Sequence, residues 1–301
     1  MPESYLAACA IFRNEAPYLA EWIDFHRLVG VERFFLYDNG SDDGSLAVLA
    51  PYIAAGCVSV QPWPMPFRLP AARLAYADCL TRARGHARWL TCIDLDEFLF
   101  APQEPTLIPV LRRFEHCPGV VVRWQVYGSS GHERATDEPV IGRFCRRAPT
   151  QWIRNRRVKS IVDPARALRP VNPHHFVYEG GELAVDETGA RVDLVARLRF
   201  SKRLRPLYGL LGPALRYVDP WAATDITSTR VSVEHLRINH YPIKSREEFQ
   251  RKARMMEGKG RYDGVDYFAY HDRNEVLDPI LSRYVSQLGG RRPAPASAAG
   301  S

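Results

Sequence analysis

No stretch of this 301-residue chain is long and apolar enough to span a bilayer. Residues 1–12 have no basic region, and Arg13-Asn14-Glu15 interrupts their apolar run, so a secretory signal is not expected. The six cysteines, Cys9, Cys57, Cys79, Cys92, Cys117 and Cys145, include no C-x-x-C pair and have mostly apolar neighbours. That scatter argues against zinc and against a disulfide framework, and for a reducing compartment. No internal repeat is evident, and no Gly/Ser linker divides residues 1–288. One compact domain over 1–288 is expected, with a basic insertion near 180–230. The tail 289–301, GGRRPAPASAAGS, has the composition of a disordered segment. A cytoplasmic location is expected, with membrane association left open.

What is present is 46% hydrophobic and 11% aromatic residues, enough to bury a sizeable core. Forty-one Lys and Arg against 34 Asp and Glu give a net charge of +7. Such a surface favours an acidic partner: nucleotide phosphates, an anionic membrane or nucleic acid. No nucleic-acid-binding motif accompanies the charge, so nucleic acid is not expected.

Read in order, residues 5–12 form an apolar strand that runs into Arg13-Asn14-Glu15. Apolar residues at helical spacing follow over 17–29, closed by Gly30. A strand at 31–37 leads into YDNGSDDGS at 37–45, where Asp43 or Ser45 can cap a helix over 46–55. A third strand spans 57–60. Strand, helix, strand, helix, strand is a Rossmann-like half, whose ligands gather at the carboxyl ends of the strands. A helix over 71–86 precedes the stretch 90–100, LTCIDLDEFLF, which reads as one buried strand. Then come a helix over 104–114, a strand over 119–127 ending in GSSGHE, a basic run over 143–159 and a short strand at 159–162. A strand over 236–243 ends in His240-Tyr241. Ser245 and Glu248 form a capping box for a helix reaching about 257. A last helix is expected over 274–288.

Asp94, Asp96 and Glu97 stand out because buried carboxylates are costly unless neutralised. A divalent cation is the simplest neutraliser, and hard oxygen ligands suit Mg²⁺ or Mn²⁺. Asp94 and Asp96 fall on one side of a strand and Glu97 on the other. The plain alternative is a strand end whose acids are solvated or paired with arginines.

Several of these motifs occur together: Arg13-Asn14-Glu15-x-x-Tyr18-Leu19-x-Glu21-Trp22, Gly30-Val31, YDNGSDDGS and DLDEF. In this combination the chain resembles inverting glycosyltransferases of GT-A fold, in the branch related to families 2 and 92. WQVYGSSGH at 124–132, KSIV at 159–162 with a following His174 or His175, and NHYPIKSREEFQRK at 239–252 fit the same branch. The likeness covers about 5–179 and 237–288. It implies an α/β fold with a mixed central sheet, a Rossmann-like half and a C-terminal helical extension. It also implies a metal-dependent hexosyltransferase that uses a nucleoside diphosphate sugar, with a UDP-sugar favoured, and Mn²⁺ or Mg²⁺. The acceptor would be a glycan or a lipid-linked hydroxyl.

By the same resemblance, Asn14, Glu15, Asp38 and Asn39 match positions that hold base and ribose. Asn39 stands where many family 2 members have a second Asp. Asp94 and Asp96 match the D-x-D motif, with Asp96 the direct metal ligand and Asp94 near ribose or metal. His240 matches a late histidine that completes the metal shell in some relatives. Lys244 and the 143–159 run, Lys159 included, would contact the diphosphate. Inversion needs a carboxylate to take the acceptor proton, and Glu133, Asp137 and Glu138 follow the 119–127 strand, Glu133 being preferred. Two alternatives stay open: a non-catalytic protein that binds glycan or an acidic ligand, and a nucleotidyltransferase, which would want a Gly-rich basic loop after the first strand. Residues 196–217 mix basic and apolar side chains and are a candidate membrane contact, or an insertion packed on the domain.

Overall fold

The computed structural model describes residues 2–66, 69–192, 231–255 and 267–289. The 196–217 segment, most of the expected basic insertion and the tail from 290 lie outside the described residues.

The chain opens with β1 (Ser4–Phe12), α1 (Ala16–Leu28), β2 (Arg33–Asp38), α2 (Ser45–Ala54) and β3 (Val58–Pro62), the expected Rossmann-like half. Strand β1 is the axis of the core, and its period of two explains why. Leu6, Ala8, Ala10 and Phe12 pack on one face with Leu19, Trp22, Ile23 and Phe25 of α1. Ala7, Cys9 and Ile11 pack on the other with α3 (Leu69–Ala83), through Ala75, Tyr76, Cys79 and Leu80. The small residues of β1 let helices approach from both sides.

The 90–100 stretch is two strands, not one. Strand β4 (Ala87–Cys92) lies parallel to β1, and β5 (Glu97–Phe100) leaves in a new direction. The chain turns at 93–96, where the Glu97 N–H donates to the Asp94 carbonyl over 3.0 Å. The indole N–H of Trp22 holds this turn, donating to the carbonyls of Glu97 at 2.9 Å and Asp94 at 3.2 Å. Asp94 and Asp96 therefore sit on a turn at the end of a central strand.

After α4 (Ile108–Arg112) come β6 (Gly119–Val126), α5 (Val140–Arg143), β7 (Arg146–Arg147), β8 (Val158–Val162), the hairpin β9 (Ala167–Asn172) and β10 (His175–Tyr178), β11 (Ala184–Asp186) and β12 (Arg191–Val192). Beyond 230 lie β13 (Arg237–His240), α6 (Arg246–Met255), α7 (Tyr267–His271), β14 (Val276–Leu277) and a 3₁₀ helix, Ile280–Gln287. The helix expected over 104–114 is confined to α4, with Pro109 at its start. The one expected over 274–288 is shorter and 3₁₀ in character. Its first residues do other work: Asn274 grips the 128–131 loop and β14 pairs with β7.

The main sheet runs β12-β11-β6-β8-β4-β1-β2-β3, with β13 joined to both β5 and β6. Strands β1, β2, β3 and β4 are parallel; β8 is antiparallel to both β4 and β6, so β6 runs with β4, and β13 runs with β6. The carboxyl ends of β1, β2, β4, β6 and β13 thus share one edge with the amino end of β8. This mixed sheet with flanking helices is the expected α/β architecture. No helix among the described residues is long and apolar enough to cross a membrane.

Candidate active site

Residues from each of those strand ends meet at the edge. Asp94 and Asp96 come from the turn after β4, Lys159 from the start of β8 and His240 from the last position of β13. Lys159 is enclosed, its side chain 1% exposed. Its Nζ lies 2.9 Å from Asp94 Oδ2 and 3.4 Å from Glu97 Oε2. The other Asp94 oxygen accepts from the Tyr76 hydroxyl at 3.2 Å. Glu97 is fully buried; one oxygen accepts from the Asp94 N–H at 2.9 Å, and the other has no hydrogen-bond partner among the described residues. Burial pushes the Glu97 carboxyl well up, although Lys159 opposes it. Lys159 is held high by the carboxylates of Asp94 and Glu97, which outweigh its own burial.

Asp96 is turned the other way. Its Oδ2 is 2.7 Å from Nζ of Lys252 on α6, and its Oδ1 is 3.5 Å from Nε2 of His240. Burial would raise the Asp96 carboxyl, but the charges of Lys252, His240 and Lys244 hold it well below the usual range. Burial lowers the His240 imidazole, against the pull of Asp96. The imidazole packs on Trp124, ring centres 4.2 Å apart, and its buried Nδ1 has no hydrogen-bond partner among the described residues.

These contacts bear on the metal expected at this edge. A carboxylate oxygen and an imidazole nitrogen 3.5 Å apart make a poor hydrogen bond, but the spacing suits two donors sharing one ion. Asp96 and His240 therefore fit a divalent cation. Asp94 is not in the same position, because both its oxygens are engaged by protein donors. Among the described residues no group of three His, Cys, Asp or Glu could by itself hold a metal ion. Any ion here would need its remaining ligands from elsewhere.

The other side of the cleft is built by the loops after β1 and β2. Asn14, at φ +56°, exchanges hydrogen bonds with Asp42, and its N–H donates to Ser41 Oγ. Asp43 accepts from the Ala16 N–H at the start of α1. Asp38 accepts from the Ser41 N–H. The Asn39 amide donates to the carbonyls of Trp63 and Met65, while its own buried oxygen has no hydrogen-bond partner among the described residues. Asn14 and Asn39 thus shape the loops as well as lining them. Glu15 is half-buried; burial raises its carboxyl, opposed by the charges of Lys244 and Lys252.

Lys244 is buried at φ +56°, with its ammonium 4.0 Å from the centre of the Tyr18 ring. No carboxylate among the described residues lies within ion-pairing distance of it, and burial lowers its pKa. The Tyr18 hydroxyl donates to Glu248 Oε1, which also takes Arg143. Ser245 and Glu248 make the reciprocal contacts of the expected capping box, which starts α6 and so places Lys252.

The loop after β6 is locked by the C-terminal segment. Asp272 and Asn274 accept from the N–H groups of Ser129 and Ser130. Gly128 is required there, since a Cβ would lie 2.5 Å from Asn274 Oδ1 and 2.7 Å from the Arg273 carbonyl. Glu133 emerges from this loop 71% exposed, paired with Arg246 at 3.1 Å, and its carbonyl accepts from the Glu247 N–H. It lies by the start of α6. Asp137 and Glu138 are also exposed.

The basic run over 143–159 is not one phosphate-binding face. Arg143 is buried against Glu248, Arg147 pairs with Asp278, and Lys159 is committed to Asp94 and Glu97. Lys252, Tyr76 and the structural use of Trp22 were not foreseen from sequence. A lysine one helical face from a capping box gives no signal of an acidic partner 156 positions away.

Residues 5–188, more than half of the chain, match the family model of glycosyltransferase family 92. A family 92 protein of Oryza sativa subsp. japonica is 36% identical over 184 residues, 58% of this chain and 30% of that protein. One from Ricinus communis is 32% identical over 185 residues, 58% of this chain and 32% of that protein. The chain thus spans about a third of the length of these relatives. Among solved structures, a mannosyltransferase of Pyrobaculum calidifontis in complex with GDP-Man and Mn²⁺ aligns at 15% identity and a TM-score of 0.32, covering 40% of this chain and 35% of that one. Glucosyl-3-phosphoglycerate synthase of Mycobacterium tuberculosis aligns at 22% identity and a TM-score of 0.29, covering 40% and 44%.

Proposed function

The chain belongs to glycosyltransferase family 92, and we propose that it transfers a sugar, with inversion, from a nucleoside diphosphate sugar to an acceptor hydroxyl. The observation that carries this is the pairing of Asp96 with His240 at the sheet edge, beside a buried ammonium, Lys244, that has no carboxylate partner among the described residues. Such a cation serves an anion brought by a ligand.

Asp96 and His240 would hold Mn²⁺ or Mg²⁺. When bound, such an ion supplies Lewis-acid neutralisation of the departing diphosphate. Lys244 adds a fixed positive charge against the same phosphates, preorganised on the Tyr18 ring. Lys159 and Tyr76 fix the Asp94 carboxylate, which reaches the ribose. Asp38 accepts from a uracil ring N–H, which favours a UDP-sugar, and the Asn39 oxygen is a second acceptor in the same pocket. A carboxylate on the opposite face, Glu133 before Asp137, takes the proton of the acceptor hydroxyl. The acceptor is a glycan or a lipid-linked saccharide.

The test is turnover with a panel of nucleotide sugars in Mn²⁺, for the wild-type protein and Asp96→Asn. One donor should release its diphosphate, and the variant should lose at least about a hundredfold in rate. Equal turnover in the variant would overturn the assignment.

A further inference from the structure

The turn between β9 and β10 brings a second imidazole, His174, beside the pair that fits a metal. One indole, that of Trp124, meets both rings: its centre lies 4.2 Å from that of His240 and 5.6 Å from that of His174. The turn is held firmly. Asn172 Oδ1 accepts from the N–H groups of His174 at 2.8 Å and His175 at 3.0 Å, and the Ser160 hydroxyl donates to the His174 carbonyl at 2.8 Å. The ring is held too. Its Nδ1 lies 3.0 Å from the Val158 carbonyl, which can only accept, so Nδ1 carries the proton. Burial and the charges of Lys159, Arg157 and His175 oppose a second proton on Nε2. The half-buried ring thus offers Nε2 as a fixed lone pair, with no hydrogen-bond partner among the described residues.

A lone pair in this setting selects what it binds. Ionised phosphate oxygens have no proton to give it. A metal ion there would meet the charges of Lys159 and Arg157. A sugar hydroxyl or acetamido N–H can donate to it. We infer that His174 Nε2 accepts a hydrogen bond from the transferred sugar of the donor, and so helps to choose that sugar. This rests on the donor-site proposal above and deepens it. Val158 holds the imidazole, and Lys159, next in the chain, holds the Asp94 carboxylate. Asp94 serves the ribose in that reading, which leaves the transferred sugar for His174. Ribose and acceptor hydroxyls offer the same chemistry, and the test separates them.

The test is calorimetric titration of the full chain in Mn²⁺, without acceptor. The ligands are UDP, GDP, UDP-glucose, UDP-galactose, UDP-N-acetylglucosamine and GDP-mannose. Wild type should bind at least one of the nucleotide sugars. His174→Phe keeps a ring against Trp124; it should weaken that nucleotide sugar about tenfold and change the free diphosphate by less than about twofold. His174→Gln keeps a polar group on a side chain of similar reach and should recover most of the loss. Thermal melting checks that both variants fold. The ring-nitrogen chemical shifts of wild type, which need no variant, should report Nε2 as the bare nitrogen. Four results would each overturn the inference and leave the donor site standing: undiminished nucleotide-sugar binding by His174→Phe, an equal loss for the free diphosphate, no nucleotide sugar bound where its diphosphate binds, or a proton on Nε2. If wild type binds neither diphosphate nor any nucleotide sugar in Mn²⁺, the donor site itself fails and this inference with it.

Discussion

Glu248 is the hub on which the basic side of the cleft hangs, and removing it should be costly. Its carboxylate accepts from both terminal nitrogens of Arg143, at 3.1 and 2.9 Å, from the Tyr18 hydroxyl at 2.9 Å, and from the N–H and hydroxyl of Ser245. Arg143 and Glu248 are 2% and 4% exposed. Burial would raise the Glu248 carboxyl, but Arg143 and Ser245 hold it below its usual value. Glu248→Ala strands a buried guanidinium, worth about 3–5 kcal/mol, and removes half of a capping box, worth about 1 kcal/mol. A loss of about 4–6 kcal/mol in urea unfolding at pH 7 is expected. Arg143→Met should cost less, about 3 kcal/mol, because three donors remain on Glu248. The double variant should show coupling of about 2–3 kcal/mol. Because Tyr18 carries Lys244, diphosphate affinity should fall in both single variants. A Glu248→Ala cost under about 1 kcal/mol, or no coupling, would refute the buried-hub argument.

Two further outcomes follow from the core beneath the site. His26 is fully buried; Nδ1 bonds the Trp22 carbonyl at 2.8 Å, Nε2 accepts from the Leu99 N–H at 3.2 Å, and burial lowers its pKa from 6.5 to about 3. Below pH 6.5 the unfolded chain takes up a proton that the native ring refuses, so this contribution falls as pH drops and levels off below about 3. Any stability margin of wild type over His26→Gln should shrink by about 2 kcal/mol between pH 6.5 and pH 5, measured by urea unfolding; a constant margin would contradict it. Trp22→Phe removes the N–H that ties the Asp94 and Glu97 carbonyls, so it should cost about 1–3 kcal/mol and weaken diphosphate binding in calorimetry. Unchanged stability and affinity would show that the turn holds without the indole.

Local signals carried much of the architecture. Alternation in β1, helical spacing in α1 and the Ser245–Glu248 box each depend on neighbours in sequence, and each was legible. The gathering of Asn14, Asp38, Asp96 and His240 at one edge was legible too, because polar residues that end buried strands have few other reasons to be there. What was not legible depends on contacts between distant residues. The break within 90–100 is set by the Trp22 indole from 72 and 75 positions away, which no local pattern announces. The basic run over 143–159 looked uniform, but tertiary packing sends Arg143 to Glu248, Arg147 to Asp278 and Lys159 to Asp94 and Glu97. Lys252 looked like one more surface lysine of a charged helix until α6 was laid against the Asp96 turn.

The central claim is that Asp96, His240 and Lys244 together form the seat of a nucleoside diphosphate. Calorimetric titration of the full chain with UDP and GDP, with and without Mn²⁺, tests it most directly. One diphosphate should bind with Mn²⁺ present, at least about tenfold more weakly without it, and not measurably to Asp96→Asn. Absence of binding for either diphosphate in Mn²⁺, or equal binding by the variant, would contradict it.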